Sequence, residues 1–325
     1  MADFLMDFDD YTTTTPSIND SHKQTSNCIA VDYSIDWLLF MVVTGSILAE
    51  IYTIITIKKN KSLQTYQNLL ILKIVWSHLG YNVLGEVLIL LVTLLAESVK
   101  SEGYCFLRNL DFLCLDMTYY LITMLALDWF VTQYHPNFYQ KHLVAFRRWG
   151  LWICCLVLLP EALLTSVYCF AATSTVGKVR HVFQKVSFFL CFVSVMVMLI
   201  KKRRRPLSME SRKYQYCFTV SWAFLMMCLP RNIYYVLMEL YLYAYRTVFH
   251  PALIILNDIT VAISLSAPLV MVYVLCKFNK HFKVAYTGCC KKKRAETCIS
   301  DNLENGNADV RQERNVVMYS VDIDQ

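Results

Sequence analysis

Of 325 residues, 56% are apolar and only 17% charged, where an ordinary globular domain carries roughly 45–50% and about 25%. With a mean hydropathy of +0.40 and eight glycines, this excludes a soluble two-domain protein, a disordered chain and a Gly-linked or collagen-like one, and leaves an all-α, polytopic membrane protein. The net charge of +6 is no nucleic-acid footprint, because its cations are spread over several short loops.

Residues 1–36 read as an extracellular acidic tail: Asp3, Asp7, Asp9, Asp10, Asp20, Asp32 and Asp36 stand against Lys23 alone. Such a tail either steers basic partners toward the chain or is a solvated segment that binds nothing. Met1 to Asp10 lacks the basic start and small-residue cleavage site of a signal peptide, so the first span is expected to serve as the signal. Asn19-Asp20-Ser21 is a glycosylation acceptor pattern.

Apolar stretches follow at Trp37 to Ile57, Tyr66 to Leu95, Cys105 to Tyr134, Trp149 to Phe170, Val182 to Ile200, Tyr214 to Leu242 and Pro251 to Cys276. Each is long enough for a membrane helix, which needs about twenty residues, so residues 37–276 are expected to form a seven-helix bundle. Lys and Arg concentrate after spans one, three, five and seven, at Lys58 to Lys61, Lys141 to Arg148, Lys201 to Lys213 and Lys277 to Arg294. The other side carries scattered cations such as Arg180 and Lys185, which puts the N-terminus outside. Pro160, Pro230 and Pro268 lie within the fourth, sixth and seventh spans and are expected to kink them.

Most of the thirteen cysteines fall inside spans, where Cys behaves as a small apolar residue. Cys28, Cys105 and Cys169 look extracellular; a bridge from Cys105 to Cys169 would tie the second outer loop to the third helix and leave Cys28 odd. Beyond the last span, residues 277–294 read as a short amphipathic helix ending in Gly288-Cys289-Cys290 and the basic run Lys291 to Arg294. Palmitoylation of Cys289 and Cys290 beside those cations makes a two-signal attachment to membrane lipids. Residues 295–325 are polar and expected to be disordered.

With the spans, the Cys105 and Cys169 pair, the short basic third inner loop and Lys277-Phe278-Asn279-Lys280-His281-Phe282 in view, the chain resembles the rhodopsin-like G-protein-coupled receptors over nearly its whole length. Asp7-Phe8-Asp9-Asp10-Tyr11, Leu159-Pro160-Glu161 and Leu229-Pro230-Arg231-Asn232-Ile233 are similar to the chemokine-receptor branch. Tyr104-Cys105-Phe106-Leu107-Arg108-Asn109 and the Ser221-Trp222 approach to Pro230 look like the orphan receptors of gammaherpesviruses. The resemblance implies a host plasma-membrane receptor signalling through a heterotrimeric G protein of the Gi class, sulfation of Tyr11, and pairing with itself or another receptor. It also implies either a basic chemokine-like ligand, bound by a receptor or a weakly signalling scavenger, or ligand-independent signalling joined to removal of MHC class I from the surface.

Several residues depart from that family's patterns. Lys73 stands where the family has a sodium-binding Asp, and an ammonium inside a span costs about 2.5–3.5 kcal/mol unless paired. Lys73 is therefore expected to face the bundle and form a polar network with Asp116 or Asp258, or else to snorkel along its stem to an interface. Asp128-Trp129-Phe130 replaces Asp-Arg-Tyr at the G-protein-facing end of span three. The missing arginine removes both the resting lock and the G-protein contact; alternatively, Asp128 simply caps the helix near Lys141 and Arg147. Cys228 replaces the Trp before Pro230, and Ala267-Pro268-Leu269-Val270-Met271 keeps only the proline of Asn-Pro-x-x-Tyr.

A transporter would show repeated halves, and none are visible. An enzyme would cluster its His, Asp or Ser, whereas His78, His135, His142, His181, His250 and His281 are scattered, so no catalytic residue, metal or cofactor is expected. A receptor-like membrane protein that downregulates host surface proteins without signalling also fits the lost switches.

Overall fold

A computed structural model describes residues 22–88, 102–171, 174–204, 214–245 and 251–288. Asn19, Tyr11, Cys289, Cys290 and residues 295–325 lie outside them, as do the side chains of Cys28 and Cys105. Among the described residues there is no strand. The helices are α1 His22–Lys59, α2 Tyr66–Asn82, α3 Glu102–Tyr134, α4 Pro136–Ala171, α5 Ser174–Arg204, α6 Gln215–Tyr245, α7 Pro251–Leu265, α8 Ala267–Phe278 and α9 Lys280–Gly288. α2 runs on into a π-helical turn, Val83–Leu88.

Among the described residues, four helical segments are long and apolar enough to cross a membrane: Trp37–Lys59, Leu110–Tyr134, Val179–Arg204 and Ala252–Phe278. A shorter apolar helix covers Trp152–Val167. The outward faces carry Trp152, Leu156, Leu163, Leu190 and Leu240 in the open, while Glu50, His78, Asp116 and Glu161 are buried. Apolar residues outside and ionisable ones inside is the inverse of a soluble fold, and marks a membrane-embedded protein.

Two compact units divide the chain, residues 1–41 and 42–325. In the first, Trp37 meets Phe40 edge to face at 5.9 Å between ring centroids.

In the second unit, α3 is the hub, packing against α2, α4, α5 and α6. The buried stripe of α2 reads Gln67, Asn68, Leu70, Ile71, Ile74, Val75, His78, Tyr81, Asn82, the spacing of one helical face. Against α3 it comes close enough that a Cβ on Gly80 would lie 3.2 Å from Cys114 Sγ, and Ser77 Oγ donates to the Cys114 carbonyl at 2.7 Å. Glycine at position 80 is what lets the two backbones approach. At the far end of α3 only His135 separates it from α4, which opens on Pro136, where the missing N–H costs nothing.

The prolines act differently from one another. Pro160 and Pro230 sit inside uninterrupted α4 and α6. Pro268 follows a break at Ser266, whose hydroxyl donates to the Ile263 carbonyl at 2.7 Å, so α7 and α8 are two helices in one apolar segment. α9 is amphipathic: Phe282 is buried and stacks on Tyr286, while Lys280, His281 and Lys283 face outward. Tyr286 Oη lies 2.7 Å from Thr53 Oγ1 of α1, and burial pushes its hydroxyl pKa above the ordinary range.

Candidate functional site

Near the start of α3, charged side chains from α3, α4, α5 and α6 turn into the bundle. Asp111 and Arg180 are 6% and 5% exposed, Asp116 0%, Glu161 1% and Arg231 8%. The π-helical turn after α2 makes room here: Gly85 presents no Cβ where one would sit 3.0 Å from Asp111 Oδ2. Asp111 Oδ1 accepts from the Phe112 backbone N–H at 2.8 Å.

Asp116 and Glu161 lie carboxyl to carboxyl across α3 and α4. No donor among the described residues reaches either Asp116 oxygen or Glu161 Oε2.

The cations are held by aromatic rings. Arg231 Nη1 donates to Tyr81 Oη, and its guanidinium lies 5.6 Å from the Tyr81 ring centroid and 5.5 Å from that of Tyr235. Lys185 Nζ sits 4.4 Å from the Tyr235 centroid. Arg180 stands 5.4 Å from the Phe112 ring.

A second polar group joins α1 to α2. His78 Nδ1 lies 2.5 Å from Glu50 Oε1, and Asn82 Nδ2 donates to Glu50 Oε2 at 3.0 Å. Phe224 of α6 meets the imidazole edge to face at 5.2 Å. Close by in sequence, Ser46 Oγ donates to the Leu265 carbonyl.

The opposite end of α3 is closed by aromatic packing. Asp128 is buried, accepting from Gln67 Nε2 at 3.2 Å and from Tyr139 Oη at 2.9 Å. Trp129, 1% exposed, packs on Phe218 of α6 at 4.8 Å, and Lys202 Nζ lies 5.3 Å and 4.9 Å from those two rings. Phe130 stacks on Tyr134 at 4.7 Å beneath Lys201. This end joins α2, α3, α4, α5 and α6, and Lys141 is exposed.

Lys73, Asp116 and Asp258 do not form the expected network. Lys73 lies on the exposed face of α2, because the buried stripe passes through Ile71, Ile74 and Val75 and leaves position 73 outside it. Asp116 has Glu161 as its neighbour, and Asp258 Oδ1 accepts from Asn257 Nδ2 at 3.1 Å. Cys169 is disulfide-bonded.

Arg180 and Lys185 count among the scattered cations of the outer side. α5 begins at Ser174, so Arg180, which precedes the apolar stretch Val182 to Ile200, belongs to the helix as well and is buried. Among the described residues, no group of three or more His, Cys, Asp or Glu could hold a metal ion. No protein-family model and no curated protein matches this chain.

Proposed function

We propose that the chain is a rhodopsin-like seven-helix receptor of the host plasma membrane, with its N-terminus outside, that signals weakly through Gi without a ligand and lowers surface MHC class I. The observation that carries this reading is the end of α3, where Asp128 is buried under Tyr139 and Gln67 beside a large side chain at position 129. A transport protein has no need of a tyrosine just beyond a helix end holding an inward carboxylate, whereas a transducing end needs a set of bonds that can be exchanged. The four membrane-length helices and the disulfide at Cys169 agree with it.

The test is basal inhibition of cyclic AMP in cells expressing the chain, with and without a toxin that uncouples Gi. Toxin-sensitive inhibition above that of vector-transfected cells is expected, together with reduced surface MHC class I. Inhibition that is absent or insensitive to the toxin would remove the signalling half.

One observation favours a second reading, a non-signalling protein that downregulates host surface proteins. Trp129, Phe218 and Lys202 fill the space between α3, α5 and α6. A G protein would have to displace a packed indole to enter there. Loss of surface MHC class I without any Gi signal is the outcome that selects it.

A further inference from the structure

Between Glu50 and Glu86 the sequence holds no Asp or Glu, while the end of α1, the turn after it and α2 carry Lys58, Lys59, Lys61 and Lys73. Glu50 is engaged with His78 and Asn82. Asp128, at the same end of the bundle, accepts from Gln67 and Tyr139. Among the described residues neither Lys58 nor Lys73 has an ion pair, and both are exposed. α4 brings Cys154, not an acid, to the flank of Lys73.

The two lysines belong to one outward surface. Ile51, Ile55 and Lys58 share a face of α1, and Leu69, Lys73 and Trp76 share a face of α2 at the same helical spacing; all six are exposed. The stripes meet where Lys58 Nζ lies 5.2 Å from the Trp76 ring centroid. Helical side chains lean toward their own N-terminus, so Lys58 leans along α1 away from the turn while Lys73 and Trp76 lean back toward it. Residues at different depths thereby come together. Lys73 lies about two turns inside α2, and an ammonium at that depth on an outward face is costly without an anion or water to meet it. Trp76, 50% exposed beside a lysine and apolar neighbours, is the kind of amphipathic ring that sits at headgroup level.

We propose that this outward face of α1 and α2 binds an anionic diacyl phospholipid, its phosphate between Lys58 and Lys73 and an acyl chain over Trp76, Ile55 and Ile51. The phosphate accepts charge-assisted hydrogen bonds from both ammonium groups. A net negative headgroup is selected because a zwitterionic one carries its own cation into a stretch that has lysines and no acid. The site requires only that the chain be embedded in a membrane, so lipid binding and receptor signalling can fail separately.

The experiment uses the full chain in phosphatidylcholine nanodiscs in which a small fixed fraction of the lipid has brominated acyl chains, as phosphatidylglycerol in one set and as phosphatidylcholine in the other. Bromine quenches indole fluorescence on contact, and the difference between the parent and Trp76→Phe isolates Trp76 from the other tryptophans. Brominated phosphatidylglycerol is expected to quench Trp76 as strongly as about fivefold more brominated phosphatidylcholine, the preference that one or two lysines near an anionic headgroup produce. Lys58→Gln combined with Lys73→Gln should abolish that preference, and Lys58→Arg combined with Lys73→Arg should keep it. Lys141→Gln combined with Lys277→Gln, which removes the same charge from other exposed positions, should also keep it, and excess glycerol phosphate should leave the quenching unchanged. The comparison of the two lipids on the parent chain stands without any lysine variant. Equal quenching by the two lipids overturns the proposal, as does a preference that survives the loss of Lys58 and Lys73 or falls as far with Lys141 and Lys277. Displacement by glycerol phosphate overturns it too, by making this a free-anion site.

Discussion

At position 78 the imidazole is the partner that makes a carboxylate tolerable between α1 and α2. Leaving a buried polar group without its hydrogen-bond partner costs about 1–3 kcal/mol, more when the group is charged. His78→Ala, which leaves Glu50 with Asn82 alone, is expected to lower the melting temperature in detergent sharply. His78→Gln, which keeps a donor, should lower it less. Asp116 and Glu161 differ: no donor among the described residues reaches either Asp116 oxygen or Glu161 Oε2. Asp116→Asn, which offers Glu161 an N–H donor, is therefore expected to leave the melting temperature unchanged or raise it in a thermal unfolding assay. Lys73→Ala, on an exposed face, should stay within about 0.5 kcal/mol of the parent. A large loss there would restore the paired lysine that the sequence pattern suggested. That suggestion went astray for a definite reason: aligning Asn68 to Lys73 with a family pattern sets a residue's place along the helix, while its azimuth is set by which neighbours bury Ile71, Ile74 and Val75.

For whole helices the sequence was a better guide, since hydropathy over about twenty residues depends on composition and not on contacts. Where they are described, the apolar stretches fall on helices, whereas a proline inside an apolar run accompanies a break at Pro268 and none at Pro160 or Pro230. Helix ends were not legible. α5 starts at Ser174, eight residues before the apolar stretch Val182 to Ile200, and so takes in Arg180, because an arginine over an aromatic ring, here Phe112, can sit in a helix beyond the reach of a hydropathy window. Glycines at helix contacts were equally silent, and two of them should respond in opposite ways. A Cβ at Gly80 meets Sγ and Cβ of Cys114, which are fixed close to the α3 backbone, whereas at Gly150 it meets the terminal methyl of Met124, which can swing aside. Replacing a helical glycine by alanine otherwise gains up to about 1 kcal/mol. Gly150→Ala is therefore expected to raise the melting temperature and Gly80→Ala to leave it unchanged or lower it. If both rise, α2 and α3 are not in tight register at that point.

In the 42–325 unit, Asp111, Asp116, Glu161, Arg180 and Arg231 are buried near the start of α3, and the other end is closed by rings around Asp128 and Lys202, with Trp129 at the centre of that packing. Trp129 is buried against Phe218 under Lys202, and Asp128 already takes hydrogen bonds from Gln67 and Tyr139. Restoring the arginine by Trp129→Arg would thus not recreate a lock. The guanidinium would find the carboxylate occupied, leave a void where the indole was, and stand beside the Lys202 ammonium. Losing a fully buried Trp costs about 3–5 kcal/mol before any charge repulsion, so a strong fall in folded surface protein is expected. Two companion changes separate the causes. Lys202→Glu added to Trp129→Arg supplies the missing counter-charge and should recover part of the yield, with a coupling of about 1 kcal/mol or more between the two sites. Trp129→Phe should be the mildest replacement, because the indole N–H has no hydrogen-bond partner to lose and a ring remains to stack on Phe218. A Trp129→Arg variant that folds as well as the parent with Lys202 intact would mean that the ring packing at this end does not hold α3, α5 and α6 together.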